Sequence, residues 1–396
     1  MKLLVAMGEI SGATRMIDVS SAHIDSCLYH GRAGLDFADR LAESGGFVKV
    51  PTTLNVSSLD LLHPELFRGD QQTATAARRL MERYVSMGCR QTWTCAPYQL
   101  PERPRFGEHI AWAESNAIVF ANSVLGARTD RYGDFIDIAA ALTGRVPEAG
   151  LHLTSNRAAT VVFDVGALSR SITKSDLFFP VLGHLVGREA GSRVPAIVGL
   201  DRSATEDDLK AFGAAAASSG AVALFHVVGI TPEAMTMSDA LQDREPEIEV
   251  TVTADAMEET LDELSSGPSG EIDAVSVGTP HMSRRELTRL AKAFDGRAVA
   301  EGLAFYASTG RDILAAARSD GTIDALERSG VQLVTDTCTY ITPIIEPHVR
   351  TVMTNSAKWA FYAPGNLDLE VVVASLETCV ESGVAGRAVR GRDRWN

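Results

Sequence analysis

The sequence predicts an α/β protein with largely parallel sheets, because short apolar runs alternate with stretches of helical period. The apolar runs are rich in β-branched residues and are bounded by glycine, proline and polar clusters, as strands commonly are. Candidate strands are residues 3–6, 47–50, 91–94, 159–165, 196–200, 221–228, 272–277, 298–303, 332–335, 351–354 and 369–373.

Helices are expected between these strands. One is predicted over residues 71–87 and ends before Gly88, and another over residues 108–125 ends before Gly126, since glycine commonly takes the left-handed C-terminal cap. The run Ser283-Arg284-Arg285-Glu286 has capping-box spacing and predicts a helix that continues to Phe294.

Composition limits the function classes. The chain has 396 residues, 45% of them apolar and 22% charged, which is typical of globular proteins with several domains. Its net charge of −14 argues against a nucleic-acid partner. Without an apolar run of about 20 residues it is not expected to enter a membrane, and we expect a cytoplasmic protein.

We expect three parts along the chain. An α/β domain covers residues 1–150, a middle α/β region covers residues 151–330, and a segment over residues 331–396 packs back on the first domain. The last expectation follows from the placement of the cysteines.

Two short segments resemble each other: Thr92-Trp93-Thr94-Cys95 and Thr335-Asp336-Thr337-Cys338. Each cysteine is expected just past a strand, where open α/β sheets bind ligands. Cys379 lies one turn into a predicted helix that Ser375 opens, and helix N-termini favour thiolates. Three thiolates can hold an iron–sulfur cluster that keeps one iron open, although buried structural cysteines remain an equal alternative at this point.

Longer segments resemble the aconitase X family. They are residues 20–23 (SSAH), 48–55 (VKVPTTLN), 94–98 (TCAPY), 106–128 (FGEHIAWAESNAIVFANSVLGAR), 335–338 (TDTC) and 354–358 (TNSAK). The segments occur in order over nearly the whole chain. The resemblance implies aconitase-like α/β/α domains of repeated βα units around a cluster-binding cleft.

The resemblance also implies a cofactor and a partner. The cofactor is an iron–sulfur cluster, two-iron or four-iron, held by Cys95, Cys338 and Cys379. The CxxC pair of ordinary aconitases does not occur here. Cys27 and Cys89 lie outside the matching segments and are interpreted as structural thiols. The family's small swivelling domain is not found in the 396 residues, so a separate small subunit that supplies a serine base is expected.

The candidate catalytic residues are Lys358, His23, Glu108 and His109. Lys358 opens a predicted helix and can bind a carboxylate as a point charge, or lie solvated at the surface. His23 can hydrogen-bond a substrate or be structural. Glu108 and His109 can act on a substrate or stabilise a helix end.

The candidate substrate-binding residues share positions near predicted element ends. Arg128 can clamp a carboxylate or stabilise a helix dipole, and turn chemistry alone explains Asn55. His281 is interpreted as structural. The full set is Ser20, Ser21, Thr53, Asn55, Asn122, Ser123, Arg128 and Lys358.

The expected activity is that of a hydro-lyase on a small hydroxy carboxylate. The resemblance implies two main substrates, cis-3-hydroxy-L-proline and phosphomevalonate. The sequence favours hydroxyproline because no glycine-rich phosphate nest or tight cationic cluster is evident. Two alternatives of other classes stay open: a cysteine-nucleophile enzyme and a non-catalytic iron–sulfur subunit.

Overall fold

A computed structural model describes residues 1–267, 270–389 and 395. The α/β class is confirmed, with three parallel sheets and one small antiparallel pair. The outer end of the expected C-terminal segment, residues 390–394 and 396, lies outside the described residues.

The first part of the chain forms a three-stranded parallel sheet and a separate two-stranded pair. Its sheet order is β3-β2-β4, and β1 pairs antiparallel with β5. The strands are β1 (Met16–Asp18), β2 (Ala22–Ile24), β3 (Thr52–Leu54), β4 (Ala111–Trp112) and β5 (Arg145–Pro147), and the helices are α1 (Lys2–Ile10), α2 (Arg32–Glu43), α3 (Gln71–Ser86), α4 (Ser115–Ser123) and α5 (Ile136–Thr143).

The second part forms a four-stranded parallel sheet of order β8-β7-β6-β9. Its helices α7 and α8 pack closely, because glycines at their contact let the two backbones approach. The elements are β6 (Val161–Asp164), α6 (Arg170–Lys174), α7 (Phe178–Ala190), β7 (Pro195–Val198), α8 (Glu206–Ser219), β8 (His226–Val227), α9 (Met237–Leu241), β9 (Ile248–Thr251) and α10 (Ala254–Leu264).

The third part forms a five-stranded parallel sheet of order β12-β11-β10-β13-β14. The chain moves outward from β10 in both directions, so the topological switch point lies between β10 and β13. The elements are β10 (Ala274–Met282), α11 (Arg284–Phe294), β11 (Ala304–Thr309), α12 (Arg311–Ser319), α13 (Thr322–Arg328), β12 (Val331–Val334), β13 (Thr351–Thr354), α14 (Ala357–Leu367), β14 (Glu370–Val373) and α15 (Leu376–Ala385).

The third sheet crosses the boundary expected at residue 330, because β12 pairs with β11. Residues that follow β12 contact the first part of the chain. Asp60 accepts hydrogen bonds from Thr335, from the backbone N–H at 2.7 Å and from the side-chain hydroxyl at 2.9 Å. The chain segment that carries Cys338 is thereby attached to the first domain.

Several local predictions are confirmed by the caps. Asp70 accepts from the Thr73 N–H at 2.8 Å and begins α3, which ends just before Gly88. Ser283 and Glu286 form the predicted capping box of α11, which ends at Phe294.

Five local predictions are wrong. Residues 3–6 lie in helix α1, where Leu4 and Gly8 are buried one turn apart and form the inner face. Residues 47–50, 91–94 and 298–303 are not strands. The strands that follow the first and the last of these segments, β3 and β11, start only at Thr52 and Ala304. The helix expected from residue 108 starts at Ser115, because residues 111–112 pair with β2 and Glu114 takes a left-handed φ of 72°.

Among the described residues, no helix combines the length and the apolar character needed to cross a membrane.

Candidate active site

A cavity of about 800 Å³ lies at the carboxyl ends of strands from the first and third sheets. Asp25 follows β2, Asn55 follows β3 and Glu114 comes two residues after β4, and all three line it. Thr279, in the second half of β10, and Lys358, in the first turn of the helix that follows β13, line it from the third sheet. The cavity therefore includes the switch point of the third sheet, where open α/β sheets bind their ligands.

The two similar cysteine segments share a positive φ at the same position. Trp93 has a φ of 42° and Asp336 a φ of 62°, each two residues before its cysteine. A left-handed conformation is uncommon for residues other than glycine. Arg311 Nη2 holds the Asp336 carboxylate at 2.8 Å, and Leu61 N–H donates to it at 3.0 Å.

His281 joins these two segments. Its Nε2 lies 3.1 Å from the Thr337 carbonyl oxygen and must donate, because a carbonyl only accepts. Its Nδ1 lies 3.1 Å from Thr94 Oγ1, and its backbone N–H donates to Cys95 Sγ at 3.3 Å. The carbonyl of His281 accepts in turn from Lys210 Nζ at 3.4 Å. One histidine thus fixes the spacing of the two cysteine segments.

Cys95 and Cys338 lie together in the cavity wall. Ligand atoms of Cys95, His281 and Cys338 lie within 4.8 Å of one another, and all three residues are buried. Burial is the largest single influence on the Cys95 thiol and raises its pKa, but the hydrogen bond from Cys338 and the charges of His281 and Lys358 together lower the pKa below its usual value. The contact with Cys95 raises the pKa of Cys338. A thiolate is the form that binds metal.

Thr279 adds an unpaired polar atom to the same wall. Its hydroxyl is buried and has no hydrogen-bond partner among the described residues, although Thr279 lines the cavity with both cysteines. Both ring nitrogens of His281 are already engaged. The donor set that fits a metal group here is therefore the two thiols, with the Thr279 hydroxyl beside them.

Lys358 and Glu114 form a buried ion pair across the cavity. Lys358 Nζ donates to Glu114 Oε1 at 2.5 Å, and the side chains are 4% and 8% exposed. Burial alone lowers the pKa of Lys358, but the charges of Glu114, Tyr340 and Cys95 raise it well above its usual value. Lys358 therefore stays protonated while lining the cavity. The prediction that it opens a helix is confirmed, since Ser356 caps α14.

The structure does not bring Cys379 to this site. The predicted helix is present as α15, capped by Ser375, but Cys379 is buried in a separate apolar core, which also contains Val275 and Phe305. Its thiol faces the Ala374 carbonyl at 3.8 Å, and burial raises its pKa above its ordinary value. The expected third ligand is corrected for this reason: the helix face that carries Cys379 is turned to the core.

Other predicted residues lie outside the cavity wall. His23 is buried beside Trp112, with Nδ1 2.8 Å from Thr53 Oγ1, and burial lowers its pKa to about 4. Ser20 bonds the His109 carbonyl through its backbone N–H at 2.9 Å, and Ser21 accepts from the Ala111 N–H at 2.9 Å. Four of the predicted residues thus have partners within the first sheet and the loops next to it.

The predicted residues around α4 also have structural partners. Asn122 binds the backbone of Thr129 and Ala223, and Ser123 Oγ accepts from the Phe225 N–H at 2.9 Å. Arg128 donates to the His152 carbonyl at 3.1 Å and borders a different cavity. These contacts explain the residues without a substrate.

Glu108 and His109 do not open a helix. Glu108 accepts from the Arg105 N–H at 2.8 Å, which is turn chemistry. His109 Nδ1 lies 2.9 Å from His152 Nδ1, and His152 Nε2 lies 2.6 Å from the Tyr132 hydroxyl. Of the predicted catalytic and substrate-binding residues, Lys358 and Asn55 line the cavity.

Sequence reasoning missed Asp25, Glu114 and Thr279. Asp25 and Glu114 lie just after the carboxyl ends of strands and Thr279 lies within one, positions that can be read from sequence only when the strands are placed correctly. Because residues 108–125 were predicted to form one helix, strand β4 was not recognised, and neither was the position of Glu114 after it.

The fold and the site define an α/β protein with a cavity that two thiols and a buried lysine line. The chain belongs to the aconitase X family. Models of the first, second and third aconitase X domains match residues 1–155, 159–262 and 272–385.

Known relatives agree with this family. A cis-3-hydroxy-L-proline dehydratase of Pseudomonas aeruginosa is 43% identical over all of this chain and 68% of its own length, and one of Hypocrea jecorina is 42% identical over 98% of this chain and 65% of its own. The chain thus spans about two thirds of the length of these two relatives. A phosphomevalonate dehydratase large subunit of Methanothermobacter thermautotrophicus is 39% identical over 94% of this chain and 90% of its own length.

A solved structure is also similar. The holo-form of aconitase X from Thermococcus kodakaraensis matches with a TM-score of 0.87 and 33% identity, over 96% of this chain and 94% of that one.

Proposed function

We propose that the chain is the large subunit of a dehydratase that converts cis-3-hydroxy-L-proline to Δ1-pyrroline-2-carboxylate. The observation that supports this choice of substrate is the balance of charged groups in the cavity. Its lysine and arginine are Lys358 and Arg131, and Lys358 is already paired with Glu114, while Asp25 adds a carboxyl group. A zwitterionic substrate, with one positive and one negative charge, is complementary to these groups of the cavity wall.

An iron–sulfur cluster fits the thiol side of the cavity. We propose Cys95 and Cys338 as its ligands, because their sulfur atoms lie together and one thiol ionises readily beside the other. When bound, such a cluster supplies a Lewis acid that favours departure of a hydroxyl group. The unpaired hydroxyl of Thr279 borders the space that the group would occupy.

The chain's own residues bind and orient the substrate. The Lys358 ammonium has three N–H groups, one of which is directed to Glu114, so others can bind the substrate carboxylate. The buried positive charge also stabilises the negative charge that develops when the α proton leaves. Glu114 keeps Lys358 in place, because its other oxygen accepts from the Ala117 N–H at 2.7 Å.

Phosphomevalonate is the second candidate substrate, and one observation favours it. The chain covers 90% of the length of a phosphomevalonate dehydratase large subunit but only 68% of a hydroxyproline dehydratase. The cavity wall argues against phosphomevalonate. Its phosphate and carboxylate groups would lie near Asp25 and near a lysine that already has an ion-pair partner. We therefore keep hydroxyproline as the proposal.

We also propose a separate small subunit that supplies the base, a serine in a swivelling domain. The name of the archaeal relatives as large subunits supports a two-subunit enzyme. Among the residues that line the cavity, Ser58 and Ser115 are the serines, and both lie in turns or caps of the first domain. The α proton is then taken by a group that the partner brings.

The test is an anaerobic assay of the iron-loaded chain, with and without the small partner, on cis-3-hydroxy-L-proline and on phosphomevalonate. We expect pyrroline from the hydroxyproline only when both subunits are present. Turnover of phosphomevalonate but not of cis-3-hydroxy-L-proline would contradict the proposed substrate. Full activity of the chain without a partner would show that its own residues supply the base.

A further inference from the structure

Asp25 lies at a fixed position in the cavity wall. It directly follows β2, the central strand of the first sheet, between Asn55 after β3 and Glu114 after β4. Its backbone N–H donates to Asp137 Oδ2 at 2.8 Å, and its Oδ1 accepts from the Asn55 amide group. The carboxyl group is therefore oriented without any ligand.

The carboxyl group of Asp25 stands in a negatively charged environment without a cation of its own. Burial is the largest cause that raises its pKa, and the charges of Glu114 and Asp134 add to it, so that the pKa reaches about 8. Glu114 has Lys358 as its partner and Asp137 is bonded by backbone N–H groups, but no salt bridge joins Asp25 to a basic side chain among the described residues. With this pKa the carboxyl group is largely protonated in the empty cavity near neutral pH. A positive group that enters the cavity would favour the carboxylate form of Asp25 and be stabilised by it.

Asn55 offers a second acceptor there. Its side chain is 2% exposed and lines the cavity, and its Oδ1 has no hydrogen-bond partner in the described part of the chain. A buried amide oxygen without a partner costs free energy that a ligand donor can recover. A carboxyl oxygen and an amide oxygen side by side match a group with one positive charge and two N–H donors.

We propose that Asp25, with Asn55 beside it, binds the ring ammonium of the substrate and thereby selects an imino acid over a hydroxy acid that lacks nitrogen. The inference rests on the proposed function and deepens it. The secondary ammonium of a proline ring has one positive charge and two N–H groups. With the nitrogen held at Asp25 and the carboxylate at Lys358, two fixed points orient the ring, because the α carbon lies between these groups.

The experiment compares two ligands that differ only at the ring nitrogen, L-proline and cyclopentanecarboxylate. Their affinities for the iron-loaded two-subunit enzyme are measured by calorimetry, together with KM and kcat for cis-3-hydroxy-L-proline. We expect the wild-type enzyme to prefer L-proline at least tenfold, since hydrogen bonds to charged groups are the stronger ones. Asp25→Asn should abolish this preference and raise KM, whereas Asp25→Glu should keep part of it.

Asp134→Asn is the matched control. It removes a negative charge close to Asp25 from an exposed side chain that does not line the cavity, so the preference should persist. Melting temperatures check that the variants fold, and Asp25→Ser replaces Asp25→Asn if the latter does not.

The outcomes separate the two proposals. If wild-type enzyme turns over hydroxyproline while Asp25→Asn keeps the full preference for L-proline, the role of Asp25 is overturned and the proposed function stands. If the wild-type enzyme neither binds L-proline nor turns over hydroxyproline, the proposed function fails, and this inference fails with it.

Discussion

Trp93 and Asp336 take the same left-handed backbone conformation, each two residues before a cysteine that lines the cavity. The imidazole of His281 lies between the two segments and bonds the threonine that precedes each cysteine. Two distant parts of the chain thus use one local geometry to bring two thiols together. The similarity of the two segments, visible in the sequence, has a direct structural meaning.

The buried pair of Lys358 and Glu114 predicts strong energetic coupling. Lys358→Met should lower the free energy of unfolding by about 3–5 kcal/mol, because it leaves Glu114 buried without a partner. The double variant with Glu114→Gln should be less destabilised than the sum of the single changes. Urea denaturation of the four proteins gives the coupling, and additive effects would contradict it. As a control, Arg15→Met breaks an exposed pair with Glu148 and should have little effect.

His152 predicts a dependence of stability on pH. Burial is the main cause that lowers its pKa to about 3, with the charges of His109 and Arg157 adding to it. Its contribution is therefore present above the pKa of an unfolded histidine, about 6.5, and is lost as the pH falls toward the folded value. Between about pH 7 and about pH 4.5, the wild-type protein should lose about 2–3 kcal/mol more than His152→Gln.

Denaturation midpoints at the two pH values measure this difference. His348→Gln, on an exposed side chain, should follow the wild-type protein at both. If the wild-type protein and His152→Gln lost the same free energy of unfolding between the two pH values, His152 would be protonated in the folded protein without cost, and the prediction would be wrong.

The proposed reaction predicts selectivity between isomers of the substrate. In cis-3-hydroxy-L-proline the α hydrogen and the hydroxyl group lie on opposite faces of the ring. A base from the partner can then remove the α hydrogen from one face of the ring, while the hydroxyl group leaves from the other face, on the side of Cys95 and Cys338. The trans isomer places both on one face, and each 1.4 kcal/mol lost in the transition state lowers the rate about tenfold. Equal rates for the two isomers, followed as pyrroline formation, would refute this arrangement.

The sequence predicts much of the fold because strand and helix signals in the second and third parts are strong. The strands β6, β7, β13 and β14 and the cap of α11 lie where the patterns place them, and so does helix α3 in the first part. The first sheet could not be predicted in this way. Its strands have two or three residues each, which is too short for a period to show.

The site was predictable where a residue's neighbours along the chain determine its position. Lys358 and the two cysteine segments are examples, because each directly follows a recognisable local element. Cys379 shows the limit: its helix is placed correctly, but only tertiary packing decides that its side chain is buried in the core that contains Val275 and Phe305. Asp25 and Glu114 depend on the pairing of three distant strands, which no local pattern reveals.

The position of the cluster is tested most directly by the iron content of cysteine variants purified without oxygen. Cys95→Ala and Cys338→Ala should lose the iron and the brown colour, because these two thiols lie together in the cavity. Cys379→Ala should keep both, as should Cys27→Ala and Cys89→Ala, whose thiols lie in other buried cores. Iron retained in Cys338→Ala, or lost in Cys379→Ala from a protein that still folds, would contradict the account.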